Sequence, residues 1–169
     1  MKFSVITLLL LLSIGMTNSI DAQKFGYVDT AEIVQSMPQV KEANANIETY
    51  RNQLQKKGQE KLKALQAKYG DLEKKQSRGE ISRVELEAEV EKLKTEESEL
   101  MKFDQDSQEK IIAKSQKLLQ PLTDKIQEAI NAVAAEQGYA YIFDSSTGFV
   151  LYADTAADCS QLVRAKLGL

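Results

Sequence analysis

The sequence predicts an α+β chain, mostly α: a small β-body of about three short strands carrying a long antiparallel helical-hairpin arm. Three observations predict it. Two narrow apolar stripes run for roughly 38 and 57 residues with one turn signal between them. Aromatic, β-type runs flank that stretch on both sides. The chain has 169 residues, of which 2 are Pro and 8 are Gly, while 28% are charged. That balance disfavours a loop-rich or disordered chain.

Residues 1–22 read as a secretory signal peptide. Met1-Lys2 gives a positive start, Val5 to Met16 is apolar, and the chain then turns small and polar, with cleavage expected near Ala22. The apolar run is shorter than the ~20 residues a membrane span needs. Its removal takes away one Lys and one Asp, so the net charge stays at −3. Residues 23–169 form one domain in this reading. Its body comes from 23–38 and 122–169, and its arm from 39–121.

Phe25 to Val28 is a short strand pattern. Asp29 or Thr30 caps a helix that runs to about Ser36, where Met37-Pro38 ends it. The first long helix spans Gln39 to about Gln76. Its apolar positions Val40, Ala43, Ile47, Tyr50 and Leu54 alternate steps of three and four, as do Leu62, Leu65, Tyr69 and Leu72. Gly58 falls on this seam and weakens the helix locally. Ser77-Arg78-Gly79-Glu80 is the reversal, with Gly79 free to take positive φ. A second helix runs from about Ile81 to Gln137, kinked or briefly broken at Pro121. Gly138 closes it. Tyr139 to Asp144 and Phe149 to Tyr152 read as two strands of a hairpin around Ser145–Gly148, open to Phe25–Val28 alongside. Asp154 or Thr155 caps a last helix over Ala156–Leu167.

Folding the two long helices back at this reversal pairs residues whose numbers add to about 157. Leu65 then faces Leu93, and Leu54 faces Phe103. Six bases and one acid in residues 51–68 come beside seven acids and two bases in residues 85–99. Exposed pairs are individually weak, ~0–1 kcal/mol, but together they favour one register.

Composition excludes several activities. With no His and one Cys, neither a His/Cys zinc site nor a His-dependent triad can be built in one chain. No cofactor is implied, and an enzyme is not expected. A net charge of −3 argues against nucleic-acid binding. Cys159 reads as a small buried residue, with an intersubunit disulfide or reactive thiol as the alternative. Residues 51–110 hold 16 apolar and 28 charged residues, so the arm buries one seam and no more. Apolar residues gather instead in the body. Phe25, Tyr27, Val28, Tyr139, Tyr141, Ile142 and Phe143 exceed what so small a sheet can cover, which marks them as a candidate oligomer interface.

The opening Phe25-Gly26-Tyr27-Val28-Asp29, the Met37-Pro38-Gln39 break, Leu119-Gln120-Pro121-Leu122 and the closing Gly138-Tyr139-Ala140-Tyr141-Ile142-Phe143-Asp144 resemble the Skp/OmpH family of periplasmic chaperones. The resemblance implies a homotrimer with a central β-body and three arms around a cavity. It implies a periplasmic holdase that keeps unfolded outer-membrane β-barrel proteins apart without ATP. A structural coiled-coil adaptor linking cell-envelope components is the alternative. The arms of the best-known members are strongly basic, whereas residues 51–110 here carry 14 charges of each sign. Weak apolar contact is therefore the expected means of capture. Candidate cavity positions are Ala64, Tyr69, Val84, Leu86, Met101, Ile112 and Leu119. The arm tip is mildly positive through Lys74, Lys75, Arg78 and Arg83, the expected point of weak contact with a membrane surface. No lipopolysaccharide site carries over.

Overall fold

The computed structural model describes residues 23–169; the expected signal peptide and cleavage near Ala22 lie outside them. The element order is β1 (Lys24–Val28), α1 (Thr30–Ser36), α2 (Pro38–Ser77), α3 (Arg83–Gln137), β2 (Tyr139–Asp144) and α4 (Ser160–Leu167). Two 3₁₀ turns, Ser145–Thr147 and Thr155–Ala157, separate β2 from α4. The fold is mostly helical, with a small strand part and a long helical hairpin.

Local chemistry sets the boundaries. The Asp29 side chain accepts the Glu32 N–H and starts α1. Pro38 opens α2, where its missing N–H costs nothing. Gly79 takes φ 70° in the reversal. Ser82 and Glu85 form a reciprocal capping box that starts α3 at Arg83, two residues later than expected. Hydrogen bonds to Ser82 hold the Glu85 carboxyl below its ordinary range. At 40 and 55 residues the two helices are roughly 60 and 80 Å long. α3 runs through Pro121 unbroken, and Pro121 is exposed. Leu122 and Ile126, packed into the body just beyond it, keep that turn in place.

The arm seam is displaced by about one heptad from the expected register. Lys68 pairs with Glu96, Lys61 lies over Phe103 and Lys114 over Tyr50, so partner numbers add to about 164. A 3-4 repeat reproduces itself after seven residues, so the stripes match in either register. The capped turn, which sequence spacing placed too early, decides between them.

The body core is built where the chain's two ends meet. Val28, Ile33, Met37, Val40, Ile126, Ala129, Val133, Cys159 and Val163 form one buried cluster. A second cluster, Leu65, Leu72 and Leu93, holds the distal arm.

β1 and β2 pair in parallel, Phe25 opposite Tyr141 and Tyr27 opposite Phe143. Parallel neighbours need a crossover, and the whole arm supplies it. This replaces the expected hairpin. Among the described residues the sheet has two strands, and Phe149–Tyr152 is not a third. Asp144 accepts the Ser146 N–H and turns the chain away from β2. The far edge of β1 is taken by Asp158 in an isolated bridge, with the Cys159 N–H donating to the Tyr27 carbonyl at 2.9 Å. The outer edge of β2, where the segment would have paired, stays open among the described residues.

Candidate functional site

Strand alternation divides the sheet into two faces. Gly26, Val28 and Ile142 turn toward the helices, and Phe25, Tyr27, Tyr141 and Phe143 turn away. Phe25, Tyr141 and Phe143 stack with ring centroids 5.7, 6.2 and 6.4 Å apart, each about half exposed. Beside them a hollow of about 270 Å³ is lined by Phe25, Tyr27, Phe143, Val150 and Tyr152. Burial, and then the carboxylates of Asp158 and Asp154, push the Tyr27 hydroxyl's pKa up. Phe149, Leu151 and Tyr152 are 89, 95 and 87% exposed. Sequence reasoning assigned these three to a paired strand and so missed that they stand uncovered. Their apolar character was the available signal.

The expected interface residues therefore separate. Phe25, Tyr27, Tyr141 and Phe143 share the outer face. Val28 does not: it is 1% exposed, fixed in the chain's own core, with no surface left for a second subunit. Ile142 and Tyr139 are half-buried against the same core, Tyr139 lying across Gly26 under the Lys24 ammonium.

The expected cavity residues separate as well. Leu86 belongs to the seam, packed against the distal cluster. Val84 is exposed in the first turn of α3, at the tip. Ala64 is exposed on the flank that also carries Lys61 and Lys68. Tyr69, Met101, Ile112 and Leu119 share the other flank.

That second flank has a chemical signature the sequence reading overlooked. Along α2 it reads Gln55, Gln59, Leu62, Gln66, Tyr69; along α3 it reads Met101, Gln105, Gln108, Ile112, Ser115, Leu119. Both rows keep helical steps of three and four, and neither contains a charge. The opposite flank carries the cross-helix pair Lys68–Glu96 and the cations of Lys61 and Lys114. Between the neutral rows lies an open groove of about 640 Å³.

At the tip, Lys75 pairs with Asp71, Arg78 with Glu80 and Arg83 with Glu87. Lys74 is the one of the four expected tip cations outside an ion pair among the described residues. The tip therefore presents less positive charge than its sequence suggests. Among the described residues no cluster of His, Cys, Asp and Glu could hold a metal, and no helix is long and apolar enough to cross a membrane.

Residues 24–167 match the family described as outer membrane protein (OmpH-like). The chain belongs to the OmpH-like family. It is 31% identical over 160 residues to Chaperone protein Skp of Vibrio cholerae, covering 86% of each chain. A crystal structure described as an OmpH-like outer membrane chaperone from Caulobacter crescentus shares the fold, with a TM-score of 0.73 at 21% identity, over 89% of this chain and 87% of that one. An OmpH-like fold accounts for the long arm and for the parallel strands at its two roots.

Proposed function

We infer that this OmpH-like chain is a periplasmic holdase chaperone. It sequesters unfolded outer-membrane β-barrel proteins between helical arms and uses neither ATP nor a chemical step. The observation that carries the reading is the uncovered apolar surface at the two levels of the molecule. In the body, Phe25, Tyr141, Phe143, Phe149, Leu151 and Tyr152 are exposed in a single chain. A contiguous face of this kind calls for a partner, and a free outer edge on β2 lies beside it. Three copies joined there cover both and direct three arms to one side. On the arm, Leu62, Tyr69, Met101 and Ile112 remain exposed. They offer weak apolar contacts to unfolded chains without demanding one sequence. A relative named Chaperone protein Skp supports the assignment. Sequestering chains with exposed apolar strands keeps their edges from pairing with one another.

The test uses the purified mature protein. Native mass measurement is expected to show a trimer. Diluting a urea-unfolded β-barrel protein into it is expected to suppress aggregation at about one trimer per client. A well-folded oligomer that left aggregation unchanged would overturn the reading.

A further inference from the structure

We propose that the groove at Gly58, with the two uncharged rows beside it, is the client-docking surface of the arm, and that it takes uncharged, apolar-bearing stretches of extended polypeptide. This rests on the holdase reading and names the surface that performs it. The floor of the groove is apolar, Leu54, Leu100 and Ile111, with the exposed Leu62 at its edge. Its rim is polar and neutral overall, with Gln55, Gln59 and Gln108 and one charge of each sign in Arg51 and Asp104.

Two small residues create the groove. Gly58 places no side chain in the seam, and Ser107 turns its hydroxyl back onto the Phe103 carbonyl at 2.6 Å. The missing side chain at Gly58 is not forced by crowding. A Cβ built there would meet Phe103 and Asp104 at 3.5 Å, an ordinary contact. A glycine in mid-helix weakens the helix, yet here it borders a groove that a Cβ would enter without a clash.

Charge selects the occupant. Of the 60 residues in 51–110, 28 are charged, yet the two neutral rows contain none, and the groove lining adds only Arg51, which is paired with Glu48, and Asp104. A charged client segment finds few partners there and gives up hydration on entering. An extended segment of alternating apolar and uncharged polar residues leaves apolar groups for the floor. Its backbone groups remain within reach of glutamine amides, which both donate and accept. Membrane-inserted β-strands have that alternating composition.

The experiment is site-specific photo-crosslinking in the full-length mature protein, with a urea-unfolded β-barrel protein as probe. Benzoylphenylalanine is placed at Leu62 or Gln108 beside the groove, and at Lys102 or Lys110 on the opposite flank. Client adducts are expected at least fivefold more strongly at the first two positions. Gly58→Leu fills the groove from within and is expected to cut the Gln108 adduct at least fivefold without changing oligomer mass. Gln108→Trp, at an exposed rim position, tests the same occupancy through the Leu62 adduct if the first variant does not fold. Equal labelling on both flanks overturns the proposal while leaving the holdase reading intact. So do undiminished adducts in the groove-filling variants, and so do subunit–subunit adducts in place of client ones. An absence of adducts at all arm positions, together with unsuppressed aggregation, overturns the holdase reading as well.

Discussion

The Thr30 hydroxyl donates to Asp144 Oδ2 at 2.6 Å, joining the first turn of α1 to the last residue of β2 across 114 positions of sequence. The same carboxylate accepts the Thr30 and Ser146 N–H groups on Oδ1. One side chain thus serves the N-terminus of α1, the turn after β2 and the closure of the body. Burial raises the Asp144 pKa, but the hydrogen bonds from Thr30 and Ser146 outweigh it, and the net displacement is downward. The contribution of a depressed carboxyl is complete above its unfolded value and disappears as pH falls through the folded one. Asp144→Ala is expected to cost about 2 kcal/mol at pH 7. The gap in melting temperature between the two proteins should close as pH drops below the ordinary aspartate value of 3.8. A gap that persisted under acid would show that the carboxylate's charge is not what matters.

The arm register is testable by cross-linking. Cysteines replacing Lys68 and Glu96 should join readily through a short reagent, because those side chains meet across the seam. Cysteines replacing Lys68 and Glu89, the partners in a register one heptad shorter, should react at least tenfold more slowly. The reverse ranking would place the turn elsewhere than at Arg78–Ser82.

Gly26 and Tyr139 fix the root of the arm. A Cβ at Gly26 would lie 2.8 Å from Tyr139 Cε1, too close to stand. The Lys24 ammonium lies over the same ring, 4.1 Å from its centroid. Gly26→Ala is therefore expected to destabilise the body by about 1–3 kcal/mol, the usual range for overpacking. Truncating the ring in the same chain should make the alanine cost less, which denaturant titration of the four proteins of the cycle would show.

These particulars mark how far the sequence speaks. The long hairpin was legible because a polar arm with one apolar seam admits few alternatives, and because Pro38, Gly79 and Gly138 punctuate it. The register was not, since a repeat of seven is blind to a slip of seven. The parallel pairing of β1 with β2 was hidden because Tyr139–Asp144 and Phe149–Tyr152, around a four-residue turn, have the pattern of a hairpin. What diverts the chain is the side chain of Asp144, a long-range contact. The neutral flank of the arm was present in the residue types throughout. It becomes visible once the seam is known, because flanks are defined by which residues the seam removes.

Cys159 closes the account of the body. It is fully buried, and its thiol donates to the Tyr27 carbonyl at 3.0 Å. Burial, and then the carboxylate of Asp158, push its pKa up, so little thiolate forms at neutral or mildly alkaline pH. Neither an intersubunit disulfide nor ready alkylation is compatible with that position. In the native protein at pH 8, labelling by iodoacetamide is expected to be at least a hundredfold slower than in urea. Non-reducing electrophoresis should show no covalent dimer. Cys159→Ser keeps the donor to Tyr27 but buries a more polar group, with an expected loss of about 1–3 kcal/mol. Rapid native-state labelling would mean that α4 opens from the sheet, and would make the strand-to-helix contact at Tyr27 a mobile one.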